Sequence, residues 1–277
     1  MAILSMQEEK KIESDWADLD EVFGLKRESI DSDVAVIVLK IHEPAFGSDK
    51  RSFDYRICGK TMTEWVCMAC AECPIFEIET TADRDLLDTI RPHLSDKKYT
   101  AVLYADTPLL ERKTFLGILD YVKQKRMNVC KLDRGYIFVT EYLRTAERIY
   151  SSINANLDIK DDFLRVFDMD TFAHAQQVLK NRVLAFHLAH GVEILDMAST
   201  NIDADVMIAQ NTVIYPNNTI MGHSVIGEDT LLFPGNTVIN SQIGNNCKIY
   251  NSVIERSKIR DNSNIEPFSF IQNGEVK

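Results

Sequence analysis

The stretch Thr219-Ile-Met-Gly-His-Ser-Val-Ile-Gly-Glu-Asp-Thr-Leu-Leu-Phe-Pro-Gly-Asn-Thr-Val238 decides the architecture of the C-terminal part of the chain. A large aliphatic residue returns at every sixth position: Ile220, Ile226, Leu232 and Val238. The register reaches upstream to Ile214, Ile208 and Ile202. Downstream it runs through Ile243, Ile249, Ile254, Ile259, Ile265 and Ile271, at spacings of five or six. Neither the 3.6-residue period of a helix nor the two-residue period of an ordinary strand gives this pattern. A six-residue period sends one aliphatic side chain per hexad into a narrow interior, with three short strands to each coil. Asn217-Asn218, Gly235-Asn236 and Asn245-Asn246 take the corners. Repeats of this kind mean a solenoid. Residues 201–277 therefore read as a parallel β-helix of about four coils, roughly 20 Å tall at the usual strand spacing.

Upstream the period changes. Val34-Ala-Val-Ile-Val-Leu39, Tyr99-Thr-Ala-Val-Leu-Tyr104 and Gly135-Tyr-Ile-Phe-Val139 are short apolar runs suited to buried strands. Helical patterns lie between and after them, at about 61–72, 83–94, 110–123 and 141–152. This alternation predicts an α/β domain over 34–168 with a mainly parallel sheet, whose ligands bind at the carboxyl ends of the strands. A linker segment, 169–200, is helical up to about 190, with Gly191 as its C-terminal stop.

The 277 residues hold 31 Lys and Arg against 42 Asp and Glu, a net charge of −11. That excludes general binding to nucleic-acid phosphates, which needs a basic surface. Residues 1–33 carry 10 of the acidic and 4 of the basic side chains. This segment reads as a solvated acidic helix or tail, with docking to a basic partner as the alternative. No apolar run approaches the length of about 18 residues that crosses a membrane, and the N-terminus turns acidic before any signal-peptide core forms. The expected setting is cytoplasmic. Cys67, Cys70 and Cys73 read C-x2-C-x2-C, an iron–sulfur spacing for which Cys58 or Cys130 offers a fourth ligand. Met62, Trp65, Val66 and Ala69 form an apolar helical stripe through the same segment, which favours thiols that simply pack.

Hexads such as Ile226-Gly-Glu-Asp-Thr-Leu231 resemble the left-handed β-helix of hexapeptide-repeat acyltransferases. Gly191-Val-Glu-Ile-Leu-Asp196, Thr212-Val-Ile-Tyr-Pro216 and Ser224-Val-Ile-Gly227 are similar to the linker and first coils of one family among them. This is the bacterial bifunctional N-acetylglucosamine-1-phosphate uridyltransferase/glucosamine-1-phosphate acetyltransferase family. Further upstream, Ala35-Val-Ile-Val38, Cys58-Gly-Lys-Thr-Met62, Leu103-Tyr-Ala-Asp-Thr-Pro-Leu109 and Gly135-Tyr-Ile-Phe-Val139 resemble successive pieces of its nucleotidyltransferase domain, in order. The intervening stretches are shorter. The resemblance implies a shrunken Rossmann-like α/β nucleotidyltransferase domain followed by a short left-handed β-helix. It also implies UDP-N-acetylglucosamine metabolism, Mg²⁺ as cofactor, a UDP-sugar ligand, and a homotrimer or mixed oligomer built through the β-helix.

The family's residues carry over unevenly. Its glycine-rich phosphate loop, G-x-G-T-R-M, falls on Ile41-His42-Glu43-Pro44-Ala45-Phe46, and its downstream lysine on Ser52. Glycine is needed there for backbone N–H groups to approach phosphate. Pro44 has no N–H, and Glu43 repels a triphosphate. Lys50 and Arg51 are the nearby cations that would compensate. The base-reading glutamine falls on Glu77, and L-G-T-G on Thr81-Ala-Asp-Arg84. The metal-binding aspartate is kept as Asp106. Its asparagine partner falls on Phe167, with Asp168 one position away, and Asp133 stands where an asparagine reads the sugar. The candidate metal ligands are thus Asp106 and Asp168, and the candidate sugar-nucleotide residues Asp133 and Asp106. No catalytic residue is assigned. The sugar-phosphate arginine of the acetyl site falls on Gln272, and the acetyl-CoA coils are expected to be missing. His223, His187 and His190 read as coil-surface and helix-end residues. Two functions follow. One is a degenerate binding or assembly module lacking both transferase activities. The other is an active Mg²⁺-dependent sugar-1-phosphate uridyltransferase with an altered loop.

Overall fold

The computed structural model describes residues 33–42, 51–149, 154–157 and 161–276. The acidic segment up to residue 32 and the loop replacement at 43–46 lie outside these. One mixed sheet forms the α/β part. Its strands are β1 (Val34–His42), β4 (Ile75–Thr81), β5 (Tyr99–Tyr104), β6 (Val129–Leu132), β7 (Gly135–Val139) and β8 (Ala155–Leu157), in the spatial order β4-β1-β5-β7-β6-β8. β1 runs parallel to β4 and β5, and β6 parallel to β8. β7 is antiparallel to both its neighbours, so the sheet is mainly parallel, as expected, with one reversed strand. The reason lies in the short turn at residues 133–134, which returns β6 directly into β7 with no crossover helix. Strands β4, β6 and β8 escaped the sequence reading. β4 carries Glu77 and Glu79 on an open face and lacks the continuous apolar run of β1.

Among the described residues, four helices flank this sheet: α1 (Met62–Ala69), α2 (Leu86–Ile90), α3 (Arg112–Lys125) and α4 (Thr140–Thr145). Thr61 and Glu64 close a capping box at the start of α1. α2 is shorter than expected, because Pro92 diverts the chain into a 3₁₀ turn over Arg91–His93. α4 stops at Thr145, where Ala146 takes up an extended conformation. α5 (Met169–Ala189) then leads into the solenoid and ends at Gly191 with φ +82°.

The solenoid has three parallel five-stranded sheets, so each face carries five rungs rather than about four coils. Glu193–Ile194, inside the expected linker, supplies the first of them. Ile202, Ile220, Val238, Ile254 and Ile271 stand in register on one face, and matching columns fill the other two. Nearly all these aliphatic side chains are buried, as the hexad period requires. Corner residues Asn211, Asn217, Asn240, Asn246, Asn251, Asn262 and Asn273 take positive φ, a region asparagine tolerates. Polar ladders climb inside the corners. Asn218 donates from Nδ2 to the carbonyls of Tyr215, Leu232 and Phe233, while its Oδ1 accepts from the Asn236 N–H. Asn236 in turn accepts from the Ser252 N–H.

The two parts are latched together. The hairpin of β2 (Arg56–Ile57) and β3 (Lys60–Thr61) turns at Cys58-Gly59. The Ala204 N–H donates to the Cys58 carbonyl, and Lys60 pairs with Asp205. Gly59 lies at φ +81°, and a Cβ there would meet the Asp203 carboxyl carbon at 2.8 Å, so a larger residue would strain the turn and displace Asp203.

His187, on α5 above the first rung, is 2% exposed, and its Nδ1 is buried without a hydrogen-bond partner. Burial, with the neighbouring His190 adding to it, pushes its imidazole down to about 4. The folded pKa is depressed, so its contribution to stability is complete above the ordinary value of 6.5 and is lost as pH falls from there toward 4. The unfolded chain takes up a proton that the folded chain refuses, which costs about 1.4 kcal/mol per pH unit at most. Urea denaturation from pH 7 to 4.5 is expected to give His187→Phe a shallower decline in stability than the parent chain; identical slopes would refute this account.

Candidate functional site

From β1 the chain passes to β4 on one side and then returns to β5 on the other. The gap beyond the carboxyl ends of β1 and β5 is therefore a topological switch point, where open α/β sheets form crevices. Tyr104 closes β5, and Ala105 and Asp106 follow it. The Ala105 N–H donates to the Leu39 carbonyl, which ties this end of β5 to β1. Asp106 thus stands at the mouth of the crevice with its side chain 12% exposed.

Two arginines converge on it. Arg134 approaches Asp106 as a fork, Nε to Oδ1 at 2.6 Å and Nη2 to Oδ2 at 2.6 Å. Its guanidinium also lies over the Tyr104 ring, 4.3 Å from the centroid. Arg165 adds a bond from Nε to Oδ2 at 3.1 Å. Local backbone geometry explains both approaches. Gly135 pairs with Leu103 across β5 and β7 and has φ +141°; a Cβ there would lie 2.7 Å from the Val102 carbonyl oxygen. The glycine lets the turn close against β5 and sets Arg134 opposite Tyr104. Arg165 arrives because the Val166 N–H donates to the Asp106 carbonyl at 2.8 Å.

The other candidates have separate tasks. Asp168 is the N-cap of α5, accepting from the Thr171 N–H at 2.8 Å and from its hydroxyl at 2.6 Å. The Thr171 hydroxyl holds the Asp168 carboxyl below the usual carboxylate range. Asp133 is exposed on the turn that carries Arg134. Phe167, in the position of the family's asparagine, is 56% exposed. The structure therefore brings the 165–168 segment to Asp106, but the side chain it presents there is that of Arg165. Among the described residues, no group of three or more His, Cys, Asp or Glu side chains is placed to hold a metal ion. His223 is exposed, and its backbone N–H donates to Asn240. Gln272 donates to Glu255 on the neighbouring rung. A groove of about 710 Å³ opens beside α5, edged by Glu111, Asp161, Asp162 and Asp170 and crossed by Arg182. Its carboxylates disfavour a polyphosphate.

Over part of its length the chain matches proteins described as "Bifunctional protein GlmU". That of Caldicellulosiruptor saccharolyticus is 46% identical over 163 residues, 56% of this chain and 35% of the relative. Those of Clostridium perfringens and Clostridium beijerinckii are 37% and 32% identical over 139 residues, half of this chain and about 30% of each relative. The chain is a partial relative of the GlmU proteins. It spans about a third of the length of the relatives it matches. No protein-family model matches it. A solved CMP:2-keto-3-deoxy-manno-octonic acid synthetase complexed with CTP is similar at a TM-score of 0.44 and 10% identity, over 55% of this chain and all of that one. Among the described residues no helix is long and apolar enough to cross a membrane.

Arg134 is the residue that sequence reasoning passed over. An arginine just before the glycine that starts a strand was its available signal. Arg134→Met strips a largely buried carboxylate of its fork, a change expected to cost about 2–4 kcal/mol in urea denaturation. The double variant Arg134→Met/Asp106→Leu removes both charges and is expected to recover most of that loss. Equal losses in the single and double variants would show that the fork and carboxylate are not coupled.

Proposed function

We propose that the protein is a non-transferring relative of the sugar-1-phosphate uridyltransferases of UDP-N-acetylglucosamine metabolism, acting as a binding and assembly module. The observation that carries this reading is the Arg134 fork on Asp106. Nucleotidyl transfer needs the charge of the phosphates and leaving pyrophosphate neutralised, commonly by a divalent cation held on carboxylate oxygens. Both oxygens of Asp106 face guanidinium donors, and Asp168 caps a helix. A guanidinium in bonding contact with the carboxylate repels a second cation from it. This donor set does not suit Mg²⁺. The replaced loop at 41–46 supports the same reading, since Pro44 and Glu43 stand where phosphate would need N–H groups and no negative charge.

Assembly rests on the solenoid. Tyr215, Phe233 and Tyr250 stack on successive rungs, with centroids 5.1 and 4.2 Å apart, and form a partly exposed aromatic column on one flat face. Leu195, 48% exposed, occupies the same column one rung earlier. An apolar strip of this kind suits contact between copies of the chain, and we assign the protein a homotrimer.

A pyrophosphate-release assay with UTP, N-acetylglucosamine-1-phosphate and Mg²⁺ is expected to show no turnover above a protein-free control. Efficient Mg²⁺-dependent turnover that disappears in Asp106→Ala would overturn the reading and establish an active uridyltransferase. Light scattering at micromolar concentration is expected to give about three times the chain mass of 31.6 kDa. A monomer would remove the assembly role.

A further inference from the structure

The C-x2-C-x2-C run at the end of α1 plays no part in the proposed function. Its backbone is wound so that each cysteine bonds to the one three residues earlier. The Cys70 N–H donates to the Cys67 carbonyl at 3.1 Å, and the Cys73 N–H to the Cys70 carbonyl at 3.1 Å. A four-residue turn closed in this way keeps its outer Cα atoms within about 7 Å. Disulfides span Cα separations of roughly 4.4–6.8 Å. The second turn, Cys70-Ala-Glu-Cys73, is held in that shape. Glu72 lies at φ +78°, in the left-handed region. The Arg112 guanidinium donates to the Ala71 carbonyl at 2.9 Å and pairs with the Glu72 carboxylate at 3.4 Å. The Val36 N–H binds the Pro74 carbonyl and fixes the exit to β1.

From this geometry we propose that Cys70 and Cys73 are a modification site, oxidised to an intramolecular disulfide by low-molecular-weight disulfides. Cys73 is the attacking group, because it is half-buried whereas Cys70 is fully buried. The Cys73 thiolate attacks one sulfur of the reagent, forming a mixed disulfide and expelling one thiolate. Cys70 then gives up its proton and attacks the Cys73 sulfur, expelling the second. Two protein thiols are oxidised and one disulfide is reduced to two thiols. Charges favour this pair over Cys67–Cys70. Burial raises all three thiols; at Cys73 the cations Arg112 and Lys123 oppose the rise and Glu72 adds to it, whereas at Cys67 the carboxylates Glu77 and Glu64 add to it and Lys40 alone opposes it. With raised thiols the reaction is slow at neutral pH and gains about tenfold per pH unit below the thiol pKa.

The test exposes the full chain to glutathione disulfide at pH 7, 8 and 9, quenches in acid, alkylates and maps the peptides. The expected result is loss of two of the six thiols, in one peptide carrying a Cys70–Cys73 bond, faster by about tenfold per pH unit. Cys67→Ser is expected to leave the bond intact, and Cys73→Ser to abolish it. Six free thiols after exposure at pH 9, a glutathione adduct on Cys73 that never resolves, or a bond that Cys67→Ser abolishes would each overturn the proposal.

Discussion

One aliphatic side chain per rung, stacked directly above its equivalent in the rung below, is the constraint on which the rest of this molecule depends. The interior of the solenoid is one residue wide in each direction, so no rung can slip or shift register without exposing its isoleucine and burying a neighbour. The corners obey the same rule in polar form. An asparagine or a small hydroxyl turns inward, takes up carbonyls of its own rung and the next, and hands its oxygen to an N–H above. The frame is thereby stiff enough to serve as a base. The hairpin at Cys58-Gly59 is fitted against it closely enough that a β-carbon at Gly59 would press on the Asp203 side chain.

On that base sits the α/β sheet, whose crevice at the ends of β1 and β5 is closed by internal ion pairs. A carboxylate at the end of a central strand, beside a switch point, is where a cation would be gathered. Here a guanidinium from the neighbouring hairpin occupies it, flattened on Tyr104 and matched oxygen for oxygen. The carboxylate thus serves as a partner for internal charges. That pairing rests on an arginine before Gly135 and a chain path that brings Arg165 alongside.

The sequence showed the solenoid well, because a six-residue period in aliphatic residues has one physical meaning and thirteen positions kept it. It showed β1, β5 and β7 because buried strands read as unbroken apolar runs. β4 was hidden by Glu77 and Glu79, which face away from the core, and β6 by its brevity. The site was half legible. Asp106 stood out through its strand-end motif, but the function of a carboxylate is fixed by what faces it. Arg134 lies 28 positions away along the chain, and its place before Gly135 marks a tight turn without naming the carboxylate it meets. Asp168 read as a metal ligand beside Asp106, and the cap role that the structure gives it, with a threonine three positions on at the start of a long helix, was missed.

The rung-to-rung construction has a kinetic side. Each rung touches only the rungs above and below, so the stack can lose order one layer at a time along its axis, as a zipper does. The latch to the α/β part lies at the early rungs, near Asp203 and Asp205. Fraying that begins at the later rungs must travel the whole stack before it reaches the hairpin. The crevice at Asp106 is therefore insulated from loss of structure at the far rungs, and the two ends of the molecule can differ widely in how often they open.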